Sequence, residues 1–271
     1  MYLCDIHTHT RISPDSSARL SDMVRAALDA GLNELCVTDH CDLLDRWGAP
    51  AGGFDWPAAL RQYQAAKQQA GDRLRLRLGL ELGSAPACPE AARSVLDGAG
   101  DELDFVLGSL HNWIGMEGNV DLHDTDYSGD PALCRRAVEN CLDNTWTLVT
   151  EHADCYDSLA HIVYPLRYIR RDGMDLSLAD YEERVRAIFT QVARTGHALE
   201  VNTYRGQDLT SWPPLLDWFR QCGGEFVTVG SDAHRPQDMA KGIPQALELV
   251  KAAGFSHVTT FSRRKPEQHK L

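Results

Sequence analysis

No run of apolar residues approaches the roughly 18 that a membrane span requires. The opening segment Met1-Tyr2-Leu3-Cys4-Asp5 has neither the basic stretch nor the apolar core of an export signal. The expectation is a cytoplasmic protein with no membrane partner. No CxxC pair occurs among the eight cysteines, Cys4, Cys36, Cys41, Cys88, Cys134, Cys141, Cys155 and Cys222. Without such pairs or an export signal, they read as reduced thiols, mostly buried as small hydrophobes. Positive charge is scarce: 27 Lys plus Arg face 39 Asp plus Glu, a net charge of −12. That balance disfavours long nucleic acid, whose binding relies on basic side chains that neutralise phosphates. The one basic run, Arg263-Arg264-Lys265, reads as a solvated tail. A small anionic substrate remains admissible where positive charge is concentrated locally, as bound metal ions would do.

With 43% of its 271 residues hydrophobic, the chain can bury a sizeable core. No internal repeat or low-complexity linker divides it, so residues 1–271 are taken as one domain. Short apolar runs predict strands at 3–7, 34–38, 74–81, 105–110, 158–162, 198–202 and 226–231. Helical periodicity separates them. Leu20, Met23, Val24, Ala27 and Leu28 recur at i, i+3 and i+4 within residues 19–30, and Gly31 follows as a C-cap. Residues 57–70, 178–195 and 238–253 likewise end before Gly71, Gly196 and Gly254. Strands alternating with helices imply an α/β fold with parallel pairing. About seven such units favour a closed or nearly closed barrel over an open sheet. No GxGxxG follows the first strand, which removes the main sign of a dinucleotide-binding sheet.

The first strand ends in His7-Thr8-His9, and in extended chain residues i and i+2 face the same side. A lone HxH says little, but the pattern recurs. The second strand finishes in Thr38-Asp39-His40, the third in Glu81 and the fourth in Ser109-Leu110-His111; the fifth carries His161 and the seventh runs into Asp232-Ala233-His234. Six of eleven histidines thus fall at C-terminal strand ends, the face on which barrels build active sites. Imidazole and carboxylate without thiolate suit zinc, manganese or iron. Eight or nine ligands exceed what one ion takes, so two or three ions are implied, with Glu81 a natural bridge.

These residues resemble the polymerase-and-histidinol-phosphatase (PHP) family. The likeness rests on Asp5-Ile6-His7-Thr8-His9-Thr10, Ser13-Pro14-Asp15-Ser16, Thr38-Asp39-His40, Glu81, Gly108-Ser109-Leu110-His111, Leu159-Ala160-His161 and Gly230-Ser231-Asp232-Ala233-His234. It spans essentially the whole chain. The resemblance implies a distorted (β/α)7 TIM-like barrel with three divalent metal ions. It places His7, His9, Glu81 and Asp232 around the first ion and Glu81, His111 and His161 around the second. Asp15, His40 and His234 would hold the third, and Asp39 would orient its neighbour His40.

Clustered divalent ions activate water, bind phosphate oxygens and fix in-line geometry. The expected chemistry is therefore phosphomonoester hydrolysis by a metal-bound hydroxide, without a phosphoenzyme, with Glu81, Asp232, His234 and Arg205 as catalytic residues. A rim histidine or a metal-bound water would protonate the leaving alkoxide. Arg205 is the candidate phosphate clamp, because its planar fork suits phosphate oxygens; Arg167 is a second choice. Motif spacing is most similar to the histidinol-phosphate phosphatases. The resemblance therefore implies a small phosphorylated substrate, L-histidinol phosphate first. Trp113 is the candidate ring to stack on an imidazole, and Asp121, Asp124 and Asp126 in the long segment after His111 are candidates to meet an ammonium group. Hydrolysis of nucleotides or short oligonucleotides, and a non-catalytic metal-dependent ligand sensor, are the alternatives. Oligomeric state stays open.

Overall fold

A computed structural model describes residues 1–51 and 53–271. Seven parallel strands run side by side: β1 (Cys4–Asp5), β2 (Glu34–Val37), β4 (Arg75–Gly83), β5 (Phe105–Ser109), β6 (Ser158–Leu159), β7 (Ala198–Asn202) and β8 (Val227–Gly230). An additional strand, β3 (His40–Asp42), pairs with the C-terminal half of β4. The ends of the sheet meet. Ile6 N–H bonds Val229 O at 3.2 Å, Asp232 N–H bonds His7 O at 2.9 Å, and His9 N–H bonds Ala233 O at 2.9 Å. The result is a nearly closed seven-stranded barrel, as the strand and helix alternation predicts.

Among the described residues eight α-helices wrap it: α1 (Leu20–Asp29), α2 (Trp56–Ala70), α3 (Pro89–Ala99), α4 (Pro131–Glu151), α5 (Tyr164–Arg171), α6 (Glu182–Arg194), α7 (Trp212–Gln221) and α8 (Ile243–Ala252). Their starts and stops are chemical. Asp130 accepts the N–H groups of Ala132 and Leu133 ahead of Pro131, so α4 begins with its orphan donors satisfied. After α1, Gly31 at φ 72° lets Leu32 N–H return to Ala27 O at 3.0 Å. The strands are almost wholly buried and every position of β2, β5, β7 and β8 is covered, as a parallel sheet wrapped by helices requires.

Three features differ from the sequence reading. The segment after His111 is largely α4, 21 residues long, so only its first part loops over the rim. The ladder of β6 stops at Leu159, because His161 O caps the turn into α5 by accepting Tyr164 N–H at 2.7 Å. The run Arg263-Arg264-Lys265 is not a solvated tail: it turns a hairpin of β9 (His257–Ser262) and β10 (Lys265–Lys270). That hairpin covers the N-terminal end of the barrel. Arg264 pairs with Asp157 at 3.1 Å, Phe261 stacks on Phe105, and Tyr2 stacks on His269. All eight cysteines are free, six of them buried.

Candidate metal centre

Six of the seven barrel strands, all but β7, bring a candidate ligand to the same rim. His7 and His9, two residues apart past β1, bring their Nε2 atoms within 3.1 Å of each other. Glu81, near the end of β4, lies beneath them and its two oxygens face different ways. Oε1 is 2.7 Å from His161 Nε2 and 3.1 Å from His111 Nε2. Oε2 is 3.2 Å from His7 Nε2, 3.5 Å from His9 Nε2 and 2.9 Å from His40 Nδ1. Asp232, held at φ 61° after β8, points Oδ1 at His9 Nε2 (3.4 Å) and His7 Nε2 (3.8 Å). Asp15, more than half exposed on its loop, sets Oδ2 2.9 Å from His234 Nε2 and 3.6 Å from His40 Nε2. All nine residues expected as ligands therefore converge.

The donor set fits divalent ions. Ligand atoms of His7, His9 and Asp232 cluster, as do those of His7, Glu81 and His161, of His40, Glu81 and His111, and of His9, His40 and His234. Glu81 Oε2, His40 Nδ1 and His234 Nε2 are buried and, among the described residues, have no hydrogen-bond partner. His40 Nδ1 and Glu81 Oε2 are only 2.9 Å apart, yet misaligned for a hydrogen bond. Lone pairs that meet at a point between atoms suit a cation there. The electrostatics agree. Burial pushes the Glu81 and Asp232 carboxyls up, but the surrounding imidazoles outweigh it and hold both far below the usual carboxylate range. Burial pulls His111 down, yet Asp42 and Glu81 raise it to about 10. His9 is pulled well down by burial and by the neighbouring His234 and His40, which favours its neutral form.

Behind the candidate ligands stands a layer of oriented partners. Ser13 Oγ donates to Asp39 Oδ1 at 2.8 Å, so it accepts from His40 N–H and, at 3.0 Å, from His9 Nδ1–H. The Nε2 lone pair of His9 is thereby turned to the centre. Asp39 also takes Thr10 N–H and Thr10 Oγ1, so it braces the loop after β1 and does not touch the ring of His40, as its position in the sequence had suggested. Asp42 Oδ1 holds His111 Nδ1 at 2.7 Å, and Glu200 Oε1 holds His7 Nδ1 at 2.5 Å. Neither carboxylate was among the sequence candidates. A glutamate inside the apolar run Ala198-Leu199-Glu200-Val201-Asn202 was the available signal, since buried strands rarely carry unpaired charge.

Of the proposed substrate contacts, Arg167 is buried on α5 and bridges Asp232 Oδ2 (3.2 Å) and Asn202 Oδ1 (2.7 Å). Arg205 is part-buried, at φ 57°, with its guanidinium over the Tyr204 ring and its buried Nε unpartnered among the described residues. Trp113 is misplaced by the sequence reading: it is fully buried, its Nε1–H donates to Thr125 Oγ1 at 2.9 Å, and it packs the loop onto the barrel. Aromatic residues in a loop are as readily core as contact. A cavity of about 940 Å³ opens beside His40 and His111, lined by Asp15, Asp42, Asp45, Asp55, Asp121 and Asp124 against Arg11 and Arg46 among the described residues. Arg46 is already spent on Asp124, at 2.9 and 2.7 Å. Tyr164 forms part of the wall, its ring 4.8 Å from that of His111.

A parallel barrel with imidazoles and a shared carboxylate gathered on its C-terminal rim defines the class of metal-centred α/β barrel hydrolases. Residues 5–204 match the sequence model of the PHP domain, and the chain belongs to that family. The match ends before Asp232 and His234, which the fold nonetheless brings into the same centre. Among relatives, the chain is 28% identical to the histidinol-phosphatase of Lactococcus lactis over 98% of its own length and 97% of that protein's. It is also 28% identical to a "probable histidinol-phosphatase" of Deinococcus radiodurans, covering 97% and 98% respectively. The crystal structure of histidinol phosphate phosphatase from Lactococcus lactis, complexed with zinc, L-histidinol and phosphate, superposes with a TM-score of 0.82 at 26% identity, over 98% of each chain.

Proposed function

We propose that the chain, as one catalytic domain over residues 1–271, is a phosphoric monoester hydrolase that converts L-histidinol phosphate and water to L-histidinol and phosphate. The observation that carries this reading is the split Glu81 carboxylate, ringed by five imidazoles and opening onto an acidic, aromatic-walled cavity. The full-length similarity to proteins named as histidinol-phosphatases supports it. Three sets of residues would hold three divalent ions, zinc, manganese or iron: His7, His9, Glu81 and Asp232; Glu81, His111 and His161; and Asp15, His40 and His234. Such ions supply Lewis acidity, lowering the pKa of water and neutralising phosphate charge.

The chain's own residues do the rest. Glu81 spaces the neighbouring sites, and Ser13 and Asp42 keep the protons of His9 and His111 on Nδ1, away from the centre. Asp232 would be a ligand, with its position fixed by Arg167. Arg205 is the cation assigned to the phosphate oxygens, because both Nη atoms of Arg167 are engaged by Asp232 and Asn202. Asp121 and its neighbours take the ammonium group, and Tyr164 faces the imidazole. The same carboxylates repel the additional phosphates of an oligonucleotide, which disfavours that part of the nucleotide alternative. A biosynthetic enzyme of this kind would work in the cytoplasm, and no helix among the described residues is long and apolar enough to cross a membrane.

The test is phosphate release from L-histidinol phosphate, AMP and an aryl phosphate on manganese- or zinc-loaded protein. A kcat/KM for histidinol phosphate about 10²-fold above the others, roughly 2.7 kcal/mol of transition-state discrimination, is expected. A preference for AMP, or equal slow rates on all three, overturns the assignment.

A further inference from the structure

Glu200 occupies the middle of β7, where every position is buried, and is itself fully inaccessible. A carboxylate in a barrel interior is costly unless its oxygens are used. Both are. Oε1 lies 2.5 Å from His7 Nδ1 and takes Asn202 Nδ2–H at 3.3 Å. Oε2 accepts the backbone N–H of His161 at 2.9 Å. The pairing also depends on a bare backbone on the neighbouring strand: a Cβ on Gly230 would fall 2.3 Å from His7 Cβ and 2.8 Å from Glu200 Oε1.

Two consequences follow from these contacts. A carboxylate only accepts, so it retains the His7 proton on Nδ1 and leaves the Nε2 lone pair facing Glu81 Oε2 and Asp232 Oδ1. Its second oxygen anchors the backbone from which His161 extends Nε2 to Glu81 Oε1. His7 and His161 arrive from strands far apart in sequence and share one convergent ligand set with Glu81. We propose that Glu200 is the positioning residue of this centre: it fixes the tautomer of His7 and the placement of His161 together, so that one buried carboxylate governs two ligands at once. The inference rests on the metal-dependent part of the reading above and is independent of which phosphate ester is cleaved.

The substitution Glu200→Gln, in the full chain, keeps the shape. Its amide oxygen can still accept from His7, but its NH2 then confronts His161 N–H, so one of the two anchors is lost. Ion content would be measured by elemental analysis, affinity for zinc by competition with a chelator, and ligand geometry by the visible spectrum of the cobalt-loaded protein. Zinc affinity is expected to fall about 10–100-fold with a changed cobalt spectrum, and kcat to fall at limiting metal while KM holds and recover when metal is raised. Parental ion content, affinity and spectrum in Glu200→Gln overturn the proposal. If the variant does not fold, the unaltered zinc-loaded chain decides through nitrogen-15 NMR of labelled histidines. His7, recognised by its NOE to Gly230, must show a slowly exchanging Nδ1–H proton, and an Nε2–H tautomer there overturns the proposal. Because none of these metal readouts involves substrate, failure of the histidinol phosphate assignment would leave them unmoved.

Discussion

Asp121 offers the sharpest check on the leaving-group assignment. It lies half-buried in the wall of the cavity that contains His111, with Oδ1 accepting His123 N–H at 2.8 Å and facing Tyr164 OH at 3.5 Å. Two unit charges about 4 Å apart attract by about 4 kcal/mol at an effective dielectric near 20. Asp121 keeps one side in water, so roughly half of that survives. About 2 kcal/mol also falls within the 1.5–3 kcal/mol range for a hydrogen bond to a charged group. Asp121→Asn preserves size and the His123 contact while removing the charge. At about 1.4 kcal/mol per decade, kcat/KM for L-histidinol phosphate should drop about 30-fold. An aryl phosphate, which has no ammonium, should change less than about threefold. Steady-state phosphate release on both substrates at saturating metal reads the difference. Equal losses on the two substrates, or no loss on either, would refute a role for this carboxylate in recognising the amine.

Arg167→Lys keeps a positive charge but loses the fork that spans Asp232 and Asn202; kcat/KM should fall about 10–100-fold on every phosphate ester tested, the loss of one charged hydrogen bond. Gly230→Ala must displace His7; chelator competition should show weakened zinc binding, and unaltered affinity would contradict the described packing. Arg264→Ala leaves Asp157 buried and unpaired at the far end of the barrel. Burial, opposed by Arg264, pushes Asp157 up to about 6. A raised carboxyl contributes stability that is present below its unfolded value near 3.9 and lost as pH rises through about 6. Removing Arg264 raises it further, so urea denaturation should show little deficit near pH 4 and about 2 kcal/mol above pH 7, without loss of activity at low temperature.

The convergence of the candidate ligands was legible because their chemistry and their spacing coincide: polar side chains at C-terminal strand ends have few roles in a barrel other than the rim site. What surrounds them was less legible, for reasons that differ. Asp42 sits on β3, a three-residue strand with no period to detect, and its partner His111 is set by the register of β3 on β4 and of β4 on β5. Glu200 was visible as a charge in an apolar strand, but its partner His7 lies 193 residues away and is chosen by barrel closure. Trp113 was misjudged because burial of a loop aromatic depends on what covers it, and its indole N–H is taken by Thr125 twelve residues on. The basic run 263–265 looked solvated because its acceptors, Asp104 and Asp157, precede other strands.

The seam between β1 and β8 also sets an order of events. Asp5 receives Ser231 N–H and Ser231 Oγ–H across 226 residues of chain, and Ala240 N–H across 235. On a ribosome that emits the chain from its N-terminus, His7 and His9 wait through most of synthesis for Asp232 and His234. The N-terminal strand has no partner at that edge until the last barrel strand emerges, and closing so long a loop is slow. Filling of the two sets that need Asp232 or His234 would therefore be a late step, coupled to ring closure. A nascent chain halted before residue 227 would expose the unpaired edges of β1 and β7, a template for pairing with another chain.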